Sequence, residues 1–174
     1  MIPQNVQEGW KALEKEQQQL IKTLSKYSNE QLNQKPADGG WSPMEVIQHL
    51  IIAETGTLKY IQKKLSFNPK LEKSGFVQNV KYLGFKIFFR SPIKIKAPVK
   101  VITTFPEFSD FEETINEWHQ ARKDFENWLQ NVPDSLWDKQ IFKHPIMGRI
   151  SIHHTVAFFY EHQRRHVKQI LGQF

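Results

Sequence analysis

The residues best placed to do chemistry are histidines. His162 and His166 lie four positions apart in residues 150–173, where Ile152, Val156, Phe159 and Ile170 recur at helical steps. On one helix that spacing aims two imidazoles to the same side, so both can reach a single metal ion. The same spacing fits two partly exposed residues on a helix flank, and a third histidine on another buried helix would separate the readings. His49 is the candidate, because it lies beside Val46, Leu50 and Ala53 on the apolar face of an earlier helix. Alone, a histidine there is more often a hydrogen-bonded core residue than a ligand. Three neutral imidazoles from two helices would occupy three vertices of a coordination shell and leave the remainder open, the pattern of catalytic rather than structural sites. The chain has no cysteine, which excludes thiolate ligands, a cysteine nucleophile and disulfides. The expected occupant is a divalent ion that accepts imidazole, Zn²⁺ first and Ni²⁺ next.

Four long amphipathic segments must position these groups. Residues 4–28 carry the stripe Val6, Trp10, Leu13, Leu20, Leu24 and Tyr27, interrupted by Gln17. Residues 29–40 are turn-rich. Ser42-Pro43-Met44-Glu45 is a helix start, with a capping serine, proline in the first turn and a glutamate to close the box, and the helix runs to about Leu65. Ser109-Asp-Phe-Glu112 is read as a second capping box, opening a helix to about Gln130. Residues 133–137 suit a single turn, and residues 142–148 a tight connection shaped by His144 and Gly148. Gly172 stands where the last helix should stop. Residues 67–108 are broken by four prolines and two glycines. Within them, 77–89 suits a short helix and 93–103 an extended run. No strand is predicted. The pattern is all-α: a four-helix bundle with a long crossover between helices 2 and 3, the architecture that builds metal sites between inward-facing side chains.

The 174-residue length predicts one domain spanning residues 1–174, and 39 % hydrophobic with 24 % charged residues is a globular balance. The net charge of +6 is local: from Lys73 to Pro106 there are seven basic residues and no Asp or Glu, and without them 17 basic residues face 18 acidic ones. That argues against a uniformly basic nucleic-acid-binding domain. No apolar run approaches the ~20 residues that span a bilayer, so stable membrane insertion is not expected. The first residues lack the basic start and apolar core of a signal peptide, which leads to the expectation of a cytoplasmic protein. The lysines interleaved with Tyr82, Phe85, Phe88 and Phe89 could suit an anionic substrate or a membrane surface, but a solvated basic loop with its aromatics packed beneath is the preferred reading.

Three motifs, in order along the chain, give a family resemblance. Trp41-Ser-Pro-Met-Glu-Val-Ile-Gln-His49-Leu, His144-Pro-Ile-Met-Gly148 and His162-Gln-Arg-Arg-His166-Val-Lys-Gln169-Ile resemble the signatures of the DinB/YfiT-like metal-binding four-helix bundles. The resemblance spans nearly the whole chain and implies His49, His162 and His166 as the metal-binding trio. Many members have a further polar residue one turn after the first histidine; here that place holds Ile52. The family implies several activities, among them S-transfer with low-molecular-weight thiols such as bacillithiol. A metal that coordinates a thiol stabilises the nucleophilic thiolate, and in a cysteine-free protein the substrate brings the sulfur.

The first expectation is therefore a metal-dependent transferase acting on a small thiol and an electrophile, in stress or detoxification, with Arg90 or Arg149 holding the thiol's carboxylates. The alternatives are a metal-dependent hydrolase, with Glu54 or Glu161 as general base, and a metal-binding bundle that catalyses nothing. His119, His144, His153 and His154 are read as structural, His154 more readily at the surface than behind a ligand. Trp10, Trp128 and Trp137 could serve a homodimer interface or the core.

Overall fold

The computed structural model describes residues 1–91 and 105–174; the extended run expected at 93–103 lies outside them. Helix α1 spans Gln4–Leu24 and buries the anticipated stripe, with Gln17 buried in it. The turn-rich stretch contains a short helix, α2 (Asn29–Asn33), capped by Ser28. Helix α3 (Pro43–Ser66) starts as read: the Ser42 hydroxyl accepts from the Glu45 N–H at 3.2 Å, and the Glu45 carboxylate accepts from the Ser42 N–H at 2.9 Å. Helix α4 (Phe76–Arg90) lies within the crossover.

Helix α5 (Phe111–Gln130) departs from its expected start. The cap is Asp110, whose carboxylate accepts from the Glu113 N–H at 3.0 Å and from the Asn29 amide at 2.7 Å. Ser109 instead accepts from the Gln48 side chain through its hydroxyl at 2.6 Å. Ser-Asp offers two capping side chains in a row, and the tertiary partners of α2 and α3 decide between them. After a 3₁₀ turn at Asp134–Leu136, the tight connection proves to be a hairpin of β1 (Phe142–His144) and β2 (Gly148–Ile150), pairing Phe142 with Ile150 and His144 with Gly148. Three-residue strands leave no alternation to read, which is why no strand was predicted. Gly148 turns the hairpin at φ 72°, in the left-handed region. Helix α6 (Ile152–Leu171) is capped by Ser151, whose hydroxyl accepts from the His154 N–H.

Helices α1, α3, α5 and α6 are the four of the bundle: α1 packs along α6, α3 along α5, and α3 also meets α6, while α4 lies against α6. The core is in two parts. One gathers Leu13, Leu58, Ile61, Phe125 and Phe159; the other Leu20, Leu24, Met44, Leu50, Trp118 and Ile170. On every long helix a buried polar residue stands between the two: Gln17 on α1, Glu54 on α3, Arg122 on α5, and His162, Gln163 and His166 on α6. A polar belt thus crosses the bundle at mid-height. Trp10 is in the core, with Trp128 and Trp137 packed against it. Among the described residues no helix is long and apolar enough to cross a membrane.

Candidate metal centre

The two helices that carry the histidines cross at the belt. Because α6 is regular, His162 and His166 fall on its buried side one turn apart, and α3 brings His49 opposite them. The three Nε2 atoms converge: His162 Nε2 is 3.1 Å from that of His49 and 3.1 Å from that of His166, and the three potential ligand atoms all lie within 4.8 Å of one another. No other such cluster of histidines and carboxylates occurs among the described residues. His162 and His166 are buried and His49 is half-buried.

Aromatic rings fix the imidazoles. Phe158 stacks on His162 at 5.1 Å, and Trp41 lies 5.0 Å from His49 and 6.5 Å from His166. Phe105 meets Trp41 edge-on, and Phe89 stands 6.0 Å from His162. These walls exclude water, and desolvation favours the uncharged imidazole. Burial pulls His49 down to about 4 and, with the neighbouring His49 adding to it, His166 to about 3; His162 is pushed well below its ordinary value, first by burial and then by the flanking His166 and His49. All three are neutral near pH 7, the form that donates a lone pair to a metal.

The geometry has a second implication. A neutral imidazole nitrogen carries either one proton or one lone pair, so three that face one point cannot all be satisfied by hydrogen bonds among themselves. A cation at that point would take all three lone pairs, and a tetrahedral ion with bonds of ~2.0–2.1 Å would hold them ~3.3 Å apart, close to the 3.1 Å that separates His162 from each of the other two. His166 is set for this role: its Nδ1–H donates to the Gln169 side-chain oxygen at 2.8 Å, which leaves the lone pair on Nε2. The Nδ1 of His49 is buried without a partner among the described residues. The donor set fits a divalent ion of the imidazole-binding class.

The remaining candidates are engaged elsewhere. Glu54 receives a two-pronged ion pair from Arg122, at 2.6 and 2.8 Å, deep in the belt. Glu161 receives another from Arg90, at 2.9 and 2.7 Å, tying α4 to α6. Both carboxylates read as possible bases are therefore committed to arginines, and Arg90 is committed likewise. Arg149 is exposed on β2 and Ile52 faces solvent. His144 shapes its turn as expected, its Nδ1 accepting from the Ile146 and Met147 N–H groups at 3.1 and 3.2 Å. His119 is exposed and His153 partly so. His154 is not at the surface: it is buried, bonded to Ser151 at 2.8 Å and to Asn79 at 3.0 Å, because α4 covers that side of α6. Sequence reasoning also missed Arg122 and the role of Gln169. For Gln169 a signal existed, an amide three residues after a candidate ligand; for Arg122 there was none, since its partners are 41 and 68 positions away.

A family model of the DinB superfamily matches residues 12–170. The chain belongs to the DinB superfamily. This DinB chain also superposes on the solved structure of YfiT from Bacillus subtilis, described as a probable metal-dependent hydrolase with an unusual four-helix bundle topology. The TM-score is 0.61 at 16 % identity, over 99 % of this chain and 88 % of that one. At that identity the likeness is one of fold. None of the curated proteins matches the chain.

Proposed function

We propose that this DinB-superfamily protein holds a divalent metal, Zn²⁺ or Ni²⁺, through His49, His162 and His166, and uses it in transfer chemistry on a low-molecular-weight thiol. The observation that carries the reading is the convergence of three neutral imidazole Nε2 atoms, two of them on buried rings and the third on a half-buried one, on one point. An ion held there lowers the pKa of a thiol or water that reaches it and so favours the nucleophilic anion.

Two features favour a thiol over water. Hydrolysis with a poor leaving group is helped by a positioned general base, and Glu54 and Glu161 are both engaged by arginines. A thiol needs only to lose its proton to become a strong nucleophile. The chain's share of the work is then to orient and to exclude water: Trp41, Phe89, Phe105 and Phe158 wall the site with apolar surface suited to a hydrophobic electrophile. Hydrolysis is the second reading, favoured by the fold shared with YfiT.

The test is turnover of small thiols, bacillithiol included, with an activated alkyl halide such as monochlorobimane, using protein loaded with Zn²⁺ or Ni²⁺ and the same protein after chelation. Metal-dependent turnover that disappears in His49→Ala is expected. A protein that binds metal through the three histidines, turns over no thiol, and cleaves an ester, amide or phosphate would replace the first reading with the second.

A further inference from the structure

Helix α4 has two apolar faces, and the bundle covers one of them. Phe85 and Phe89 are 4 % and 8 % exposed and pack with Phe158 on α6, with Tyr82 and Phe88 beside them. On the other side Phe76, Val80, Leu83 and Ile87 are 80 %, 51 %, 57 % and 65 % exposed. At ~100° per residue these four fall within an arc of about 60°, opposite Phe85 and Phe89. Their spacing of four, three and four residues makes one continuous stripe about 16 Å long. Exposed apolar surface organised in this way marks an interaction site rather than the scatter of single residues found on any protein.

Charge identifies the occupant. Lys86 projects from one flank of the stripe and Lys81 from the other, farther round towards the covered face, and no Asp or Glu occurs from Lys73 to Ser91. Lys73, before the helix, is paired with Asp138 at 3.7 Å and leaves the charge of this face to the helix's own lysines. Tight tethering of Arg90 to Glu161 fixes the last turn on α6, so the outer face is held away from the bundle. A second copy docking stripe to stripe would bring lysines towards lysines, which opposes that pairing. A nucleic acid could take the lysines but would leave phenylalanine, leucine and isoleucine in water. An anionic bilayer surface satisfies both features: acyl chains accept the stripe and acidic headgroups accept the flanking ammonium groups. We propose that the outer face of α4 is a peripheral docking surface for anionic lipid membranes, with the helix lying in the interface plane.

The test is co-sedimentation of the full chain with vesicles of phosphatidylcholine alone and of equal parts phosphatidylcholine and phosphatidylglycerol, at low and physiological salt. Binding to the anionic vesicles that weakens with salt and is much reduced on the neutral ones is expected. Leu83→Glu/Ile87→Glu should abolish it, and Lys81→Gln/Lys86→Gln should weaken it by about fivefold per lysine neutralised. Lys81, Leu83 and Ile87 are exposed and Lys86 is half-buried, so the far-ultraviolet spectrum should be unchanged and the thermal midpoint should hardly move; should a variant misfold, the wild-type salt and lipid series decides alone. No binding to anionic vesicles overturns the proposal. So does binding indifferent to Leu83→Glu/Ile87→Glu, or a wild-type dimer in solution that those substitutions turn into a monomer. Retention of duplex DNA in place of vesicles has the same effect.

Discussion

At the scale of single residues the site is three imidazoles and the partners that set their tautomers. His166 has such a partner in Gln169, which holds the proton on Nδ1 and presents the Nε2 lone pair. Removing that acceptor lets the ring turn and the tautomer change while leaving the ligand in place. Gln169→Leu should therefore weaken metal binding by about tenfold to a hundredfold, the usual loss when a ligand's hydrogen-bond partner is removed. Gln169 is exposed, so the apo-protein's thermal midpoint should hardly move. Calorimetric titration with Zn²⁺ or Ni²⁺ measures the loss, and an unchanged affinity would show that the walls alone orient His166. The trio itself was legible in the sequence because two members share one helix at a diagnostic spacing and the third sits on an apolar face. Glu54 and Glu161 were legible only as carboxylates: what they do depends on Arg122 and Arg90, which helix packing delivers from 68 and 71 positions away.

At the scale of elements, Arg122 links the helices that carry the three converging histidines. Its guanidinium bonds Glu54 on α3 and Gln163 on α6, and Gln163 in turn donates to the Leu13 carbonyl on α1 at 3.0 Å. Trp10 and Trp118 flank the guanidinium, each ring centre 5.5 Å away. Removing one half of a buried ion pair strands the other charge, whereas replacing both with apolar side chains of similar size removes the desolvation penalty as well. Arg122→Met should cost about 3–5 kcal/mol, and Glu54→Leu/Arg122→Met should regain most of it, read from urea unfolding midpoints. A double variant no more stable than the single one would mean that the Gln163 bond, not the ion pair, carries the energy. The same scale shows why the elements were read unequally. Ser42 to Glu45 fixed the start of α3 by local chemistry alone, and the stripes of α1 and α3 gave their faces. The two capping side chains Ser109 and Asp110 were separable only through Asn29 and Gln48. Helix α4, apolar on both sides, carries no periodicity that says which face the bundle covers.

At the scale of the whole molecule, histidines buried both in the polar belt and beyond it bring proton linkage into folding. His144 and His154 lie outside the converging histidine trio, and burial lowers both to about 4, with His153 adding to the effect at His154. His144 is walled by Phe85, Phe142 and Phe158 and accepts two backbone N–H groups through Nδ1, so a proton there would break the hairpin turn. His154 faces Asn79, Ser151 and Tyr82, none of them a carboxylate that would welcome its charge. In the unfolded chain both titrate near 6.5. Between that value and about 4 the unfolded state binds protons that the folded state refuses, so stability must fall as pH falls through this window and level off above about 7. At pH 5 the loss should be about 2 kcal/mol for each of the two histidines. His49, His162 and His166, depressed in the same direction, add to the slope in the metal-free protein. Saturating metal binds the folded state alone and should raise the whole curve, by about 2.7 kcal/mol at a hundredfold excess over Kd. Urea midpoints at pH 7.5, 6.5, 5.5 and 5.0, with and without metal, test both statements. A metal-free midpoint independent of pH over that range would mean that these rings are reached by water in the folded protein, against the burial found for them.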